Sequence, residues 1–403
     1  MSLPSCMPVP WTQRGTILRP RAPAFWLFMF FVSIGALATI GTIADRISAA
    51  PTSSLFALAL LIAWAIPLVY VIYALDLFER EPFGMLAAAF AWGSLAATTL
   101  ASSANVAFLD LIAKLGSQSL AARWGPAIAA PIDEETLKAL GLLLLVLIAA
   151  AEIDTPVDGL LYGAFIGLGF QIVEDFEYLT NPAFAGSGLS QTRVVWDLFV
   201  VRGLVGGIWS HAAYTGLVGL GIGYLVSRPD VPHPRRVVFA VLAFAGACSM
   251  HFVWNSPLLD NTFAGGFWRT LITQSVVKGL PGFLLIAWLY LRARRREALW
   301  VKHVLAPEVA TGAVTPAEIE ALLTFHGRRS ARQAAKRAGG PRAARLMKEL
   351  QRQQVGLALD LTRSRGATTP SIVRRREAIA AIRSALHALV ACFGSHLPGG
   401  TRS

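Results

Sequence analysis

Apolar stretches of about 20 residues follow one another from position 24 to 294, without strict alternation of apolar and polar positions. A run of 18 or more apolar residues is long enough to cross a bilayer. Only helices or closed barrels satisfy the backbone in lipid, and the lack of alternation selects helices. Length and polar punctuation predict about eight spans, roughly 24–44, 54–75, 84–108, 126–151, 156–179, 203–226, 237–257 and 267–292. The expected fold class is all-α, a polytopic membrane helix bundle followed by a small helical domain. Glycines recur in the later spans, at Gly159, Gly163 and Gly167, then Gly203, Gly207, Gly216, Gly219 and Gly223. Small residues at this spacing let membrane helices pack backbone to backbone.

Beyond residue 295 the pattern becomes amphipathic. Thr315-Pro-Ala-Glu318 supplies an N-cap, a proline at N1 and an N3 glutamate, predicting a helix start. Further helices are expected over Pro341–Leu361 and Ser371–Phe393, with Gly339-Gly-Pro341 as a break. The predicted organisation is an N-terminal tail over 1–23, a spanning domain over 24–294 and a basic helical tail over 295–403, which carries no catalytic constellation.

Composition fits this division. The chain is 55% hydrophobic and 15% charged, against about a quarter charged in ordinary soluble domains. The net charge is +12, with most of the excess after Arg292. Basic segments beside spans mark the cytoplasmic side, and no nucleic-acid motif accompanies them, so no nucleic acid is expected as a partner. The N-terminal tail, the 227–236 loop and the C-terminal tail are all basic, and an even number of spans puts them on one side, so both termini are expected in the cytoplasm. The Ala24–Ala44 run is too long for a signal-peptide core and is expected to stay as the first span. Cys6, Cys248 and Cys392 are too scattered to suggest a disulfide framework or a thiolate metal site.

Against this apolar background, ionisable groups inside spans stand out, since each costs about 2.5–3.5 kcal/mol at a helix centre. Asp133, Glu134, Glu135 and Lys138 open the fourth span, Glu174 and Asp175 lie late in the fifth, and His211 is early in the sixth. His251 and Asn255 close the seventh, and Lys278 is midway in the eighth. At about 1.5 Å per residue, Glu134, Glu174, His211 and His251 all fall in the outer half of the bilayer at similar depth. Two carboxylates and two imidazoles at one level can form a hydrolytic site. Glu134 and Glu135 both share a helix face with Lys138, and the pairs His251/Asn255 and His211/Thr215 each point the same way. The bland alternatives are a self-neutralised Glu–Lys pair, packing histidines, Asn255 as interhelical glue, and Lys278 as a counter-charge.

The series Glu134-Glu-Thr-Leu-Lys138, Asp158-Gly-Leu-Leu-Tyr-Gly163, Gly167-Leu-Gly-Phe170 with Glu174 and Tyr178, His211, and His251-Phe-Val-Trp-Asn255 resembles the PrsW family of intramembrane proteases, relatives of the CAAX prenyl endopeptidases. Asp76-Leu-Phe-Glu-Arg-Glu-Pro82 resembles the family's acidic segment after the second span. Asp175 stands where the family usually has asparagine. The resemblance implies hydrolysis of a peptide bond in a membrane-anchored protein substrate, with Glu134, Glu135 and Asn255 as catalytic residues. It leaves two forms. In one, Glu174, His211 and His251 bind a divalent ion, Zn2+, and Glu135 deprotonates water. In the other, metal-free, Glu135 polarises a water oriented by His211, and His251 with Asn255 stabilises the oxyanion. Ligand chemistry favours the metal form; Lys138, Asp175 and Lys278 are supporting residues. Two rival classes remain, a proton-coupled transporter and a non-catalytic membrane scaffold.

Overall fold

A computed structural model describes residues 17–185, 190–258, 266–364 and 367–395. Cys6 and Arg14 lie outside the described residues. No strand occurs among the described residues. They divide into two compact units: residues 17–76 with Glu81–Tyr290, and Leu77–Arg80 with residues 291–395.

The first unit is the membrane bundle. Its helices are α1 (Pro23–Ala49), α2 (Pro51–Leu75), α3 (Phe83–Ala91), α4 (Thr98–Leu115), α5 (Gln118–Ala149), α6 (Pro156–Ala185), α7 (Ser190–Phe199), α8 (His211–Ser227), α9 (His233–Asn255) and α10 (Phe267–Leu305), the last of which continues into the second unit. Proline opens α1 and α2 at their first turn, where its missing N–H is harmless. The Ser117 side chain caps α5 by accepting the Leu120 N–H. A π-helical turn, Trp92–Ala97, joins α3 to α4, and a second, Val200–Gly206, precedes α8.

Among the described residues six helices are long and apolar enough to cross a membrane: Pro23–Ala49, Pro51–Leu75, Phe83–Leu115, Pro156–Asn181, His233–Asn255 and Ser275–Val309. The count of eight is therefore not reached. Both remaining segments are helical. In α5, Asp133, Glu134, Glu135 and Lys138 interrupt the apolar run, and α8, with 17 residues, is short. These are two of the helices that carry the unusual polar groups.

At the centre lies α6, 89% buried over its span, packed on α8 through glycines. A Cβ at Gly159, Gly163 or Gly167 would collide with the backbone of Gly219, Thr215 or His211 respectively. Lipid offers helices no water-driven association, so this close backbone approach, with its dispersion contacts, holds the pair together. On its other side, Gly93 of the first π turn approaches the Ile166 carbonyl, and Trp92 donates to the Leu137 carbonyl at 2.9 Å.

The second unit has its own core of Phe78, Trp300, Val301, Leu305, Leu322, Leu350 and Ile372 among others. It contains the end of α10, then α11 (Pro316–Leu322), α12 (Phe325–Arg363) and α13 (Pro370–Ser395). The expected capping box forms: Thr315 accepts the Glu318 N–H and Glu318 accepts the Thr315 N–H. Helix α12 kinks at Gly339–Gly340, where Gly340 takes φ 72°, a conformation that favours glycine. Leu77–Arg80 belongs to this unit: Phe78 is buried in its core, Arg328 donates to the Leu77 carbonyl, and Arg363 pairs with Glu79.

Candidate active site

Five helices, α4, α5, α6, α8 and α9, and one π turn converge on a single buried polar cluster. Helix α5 brings Glu134, Glu135 and Lys138 onto its inner side, at 2%, 0% and 0% exposure. Burial of three adjacent ionisable groups is tolerable only with internal partners. Lys138 Nζ lies 2.7 Å from Glu135 Oε1 and 3.5 Å from Glu134 Oε2. Helix α6 contributes Glu174 and Asp175. The chain breaks over Gly207–Ser210, and α8 restarts at His211 as its first residue. Helix α9 ends by presenting His251 and Asn255.

The two imidazoles meet edge to face with ring centroids 5.1 Å apart. His211 is held at both nitrogens: Nε2 is 3.0 Å from Glu174 Oε2, and Nδ1 is 2.9 Å from Lys138 Nζ. His251 Nδ1 is 3.0 Å from Glu135 Oε1, and Tyr214 stacks on its ring. Glu135 also accepts from the Thr215 hydroxyl at 3.2 Å, so both its oxygens are engaged. Glu134 differs. Its Oε1 accepts from Asn105, while Oε2 is buried without a hydrogen-bond partner, 3.8 Å from His211 Nδ1 and 4.0 Å from His251 Nε2. Glu134, His211 and His251 each offer a ligand atom, all within 4.8 Å of one another, and could hold a metal ion.

Two cavities reach this cluster. One, about 340 Å³, is lined by Glu134, Glu174, Asp175, His211, His251 and Asn255, together with Arg202, Tyr214 and Trp254. The other, about 310 Å³, reaches Glu134 and Glu174 past Arg46, Ser102 and Asn105. Glu135 and Lys138 line neither. Asn255 donates to the Pro126 carbonyl at 3.3 Å. Lys278 donates to the Ser256 carbonyl at 2.8 Å, beyond the end of α9, and lines neither cavity.

Two participants escaped the sequence reading. Asn105 is the one amide side chain in the third apolar run, among serines and threonines. Arg202 immediately precedes the predicted start of the sixth span, yet it is an arginine within Val200–Gly206, an otherwise apolar stretch, and that was the available signal. Its guanidinium donates to Glu174 Oε2 and Asp175 Oδ1, both at 2.7 Å, and lies 3.8 Å over the Tyr178 ring.

No curated protein and no solved structure matches the chain. Residues 81–286 match the family model described as PrsW family intramembrane metalloprotease, a stretch that contains every residue of the polar cluster. With half of its length matched and its buried carboxylates and imidazoles gathered inside that half, this integral membrane chain belongs to the PrsW family of intramembrane metalloproteases.

Proposed function

We propose that this chain is an endopeptidase that hydrolyses a peptide bond of a membrane-anchored protein, in the outer half of a bacterial inner membrane, with both termini cytoplasmic. The observation that carries the reading is Glu134 Oε2. It is a buried carboxylate oxygen without a hydrogen-bond partner, on a polar cavity, with the Lys138 ammonium at 3.5 Å and the two imidazoles at 3.8 and 4.0 Å.

Two imidazoles and a carboxylate suit zinc, with a fourth position left for water or substrate. The donor set fits, with Glu134, His211 and His251 as the proposed ligands. A bound ion would supply polarisation of the scissile carbonyl and easier deprotonation of water. Glu135 stands behind them and fixes the His251 ring through Nδ1, as carboxylates commonly do for ligating histidines. Glu174 shares the cavity, with an oxygen 3.0 Å from His211 Nε2, and is a carboxylate placed to take a proton. Asn255, on the same wall, is placed to donate to a developing oxyanion.

One observation favours a second, metal-free form: a cation already stands in the cluster, Lys138 Nζ, against His211 Nδ1 and Glu135. In that form Glu134 accepts a proton from water, whose oxygen bonds to the scissile carbonyl carbon. The C–N bond then breaks and the amine nitrogen takes the proton. In this form the water-facing role falls to Glu134 and not to Glu135, which lines neither cavity.

The test is cleavage of single-span substrates by purified protein, with wild type and Glu134→Gln side by side. Cleavage that persists unchanged in Glu134→Gln removes the proposed centre.

A further inference from the structure

We infer that Arg202 is a positioning residue: its guanidinium forks across Glu174 and Asp175 and so sets the orientation of the His211 ring. The inference rests on the protease reading above. Arg202 Nη2 holds Glu174 Oε2 at 2.7 Å, and the same oxygen lies 3.0 Å from His211 Nε2. Arg202, Glu174 and His211 thus form a chain in which the carboxylate is fixed from one side and the imidazole from the other. With Nε2 committed, His211 Nδ1 faces Glu134 and Lys138. Asp175, at 1% exposure, anchors the far side of the guanidinium through Oδ1. The Tyr178 ring under the guanidinium adds a third fixed contact. A planar fork can serve two carboxylates at once in a way an ammonium cannot. The position is supplied by the π turn Val200–Gly206, and such widened turns often occur at functional sites.

The competing role is plain neutralisation, in which Arg202 only offsets the buried charge of Asp175. The two make different predictions for a double variant. The assay uses the full chain in liposomes and a quenched fluorescent single-span peptide that wild type cleaves, with rates scaled to inserted, folded protein. Arg202→Gln is expected to lower kcat about 10–100-fold, the usual loss for a partner that orients a site histidine, with KM little changed. Arg202→Lys recovers part of this. Asp175→Asn combined with Arg202→Gln stays defective, because Glu174 still lacks its donor. Return of the double variant to wild-type kcat, or a defect confined to KM, overturns the inference. A second measurement needs no turnover: diethyl pyrocarbonate labelling mapped by mass spectrometry should modify His211 several-fold faster, relative to His251, in Arg202→Gln. An unchanged ratio also overturns it. If wild type cleaves nothing, the protease reading fails, while the labelling ratio still decides the clamp.

Discussion

Gly167 provides the sharpest quantitative test, because its missing side chain bears directly on a site residue. A Cβ built at Gly167 falls 2.1 Å from the carbonyl oxygen of His211 and 2.5 Å from its carbonyl carbon. Ordinary contact begins near 3.4 Å, so Gly167→Ala must part α6 from the start of α8 by roughly 1.3 Å, since close-packed interiors leave no slack. His211 sits at that point, and its ring is bonded to Glu174 on α6 and Lys138 on α5. A misplacement of about 1 Å typically costs ~100-fold in rate, or about 2.7 kcal/mol of barrier. Gly41→Ala is the matched control, since its Cβ would meet nothing within 4 Å. It should be neutral or slightly stabilising, because Gly inside a helix is disfavoured against Ala by about 0.5–1 kcal/mol. The assay is peptide cleavage in liposomes, scaled to inserted protein measured by in-gel fluorescence of a fused reporter. Turnover of Gly167→Ala within about threefold of wild type, at matched insertion, would refute the argument that this backbone contact fixes His211.

Glu134→Gln should lower turnover by about 10²–10⁴-fold with insertion intact, whether the carboxylate holds the ion or accepts the proton from water. Glu135→Gln should act first on folding, by about 3–5 kcal/mol, because Lys138 and His251 lose a fully buried partner; thermal stability in detergent separates the two. Treatment with 1,10-phenanthroline should abolish cleavage and added Zn2+ should restore it. Full activity after stripping, with no metal found by mass spectrometry, would replace the metal form by the Lys138 form. In the second unit, Arg376→Ala removes two hydrogen bonds, at 2.7 and 2.8 Å, to the nearly buried Glu308. It should destabilise that unit by about 2 kcal/mol in the full chain, read by limited proteolysis of α12 and α13.

Much of the bundle was legible because apolar runs and their punctuation obey the bilayer. The edges followed less well: α10 runs on to Leu305 with no break where its apolar stretch ends. Glu134, Glu174, His211 and His251 could be set at one depth because each is anomalous in lipid and the helix rise is fixed. Helix phase was the limit. Neighbouring residues lie about 100° apart, so spacing could not say that Glu134 faces the cavity while Glu135 turns to His251 and Thr215. The glycines read as packing alone, yet Gly167 abuts the backbone of His211. In the sequence Arg202 reads as a boundary, because it is an arginine at the edge of an apolar run. Only the π turn and the carboxylates across from it give it another meaning.

Leu77–Arg80 and residues 291–395 share one core, with Phe78 buried among Trp300, Leu305 and Leu322. Two stretches that share one core must arrive at the same place, so the crossings made between Arg80 and Leu291 decide whether that core can form. The shared core therefore ties the tail to insertion: a missed or inverted span carries Trp300, Leu305 and Leu322 away from Phe78. The order of synthesis has a consequence of its own. About 210 residues separate Arg80 from Leu291, which at ~5–20 residues per second is roughly 10–40 s of translation. For that interval Phe78 waits without the Trp300, Leu305 and Leu322 side chains it packs against.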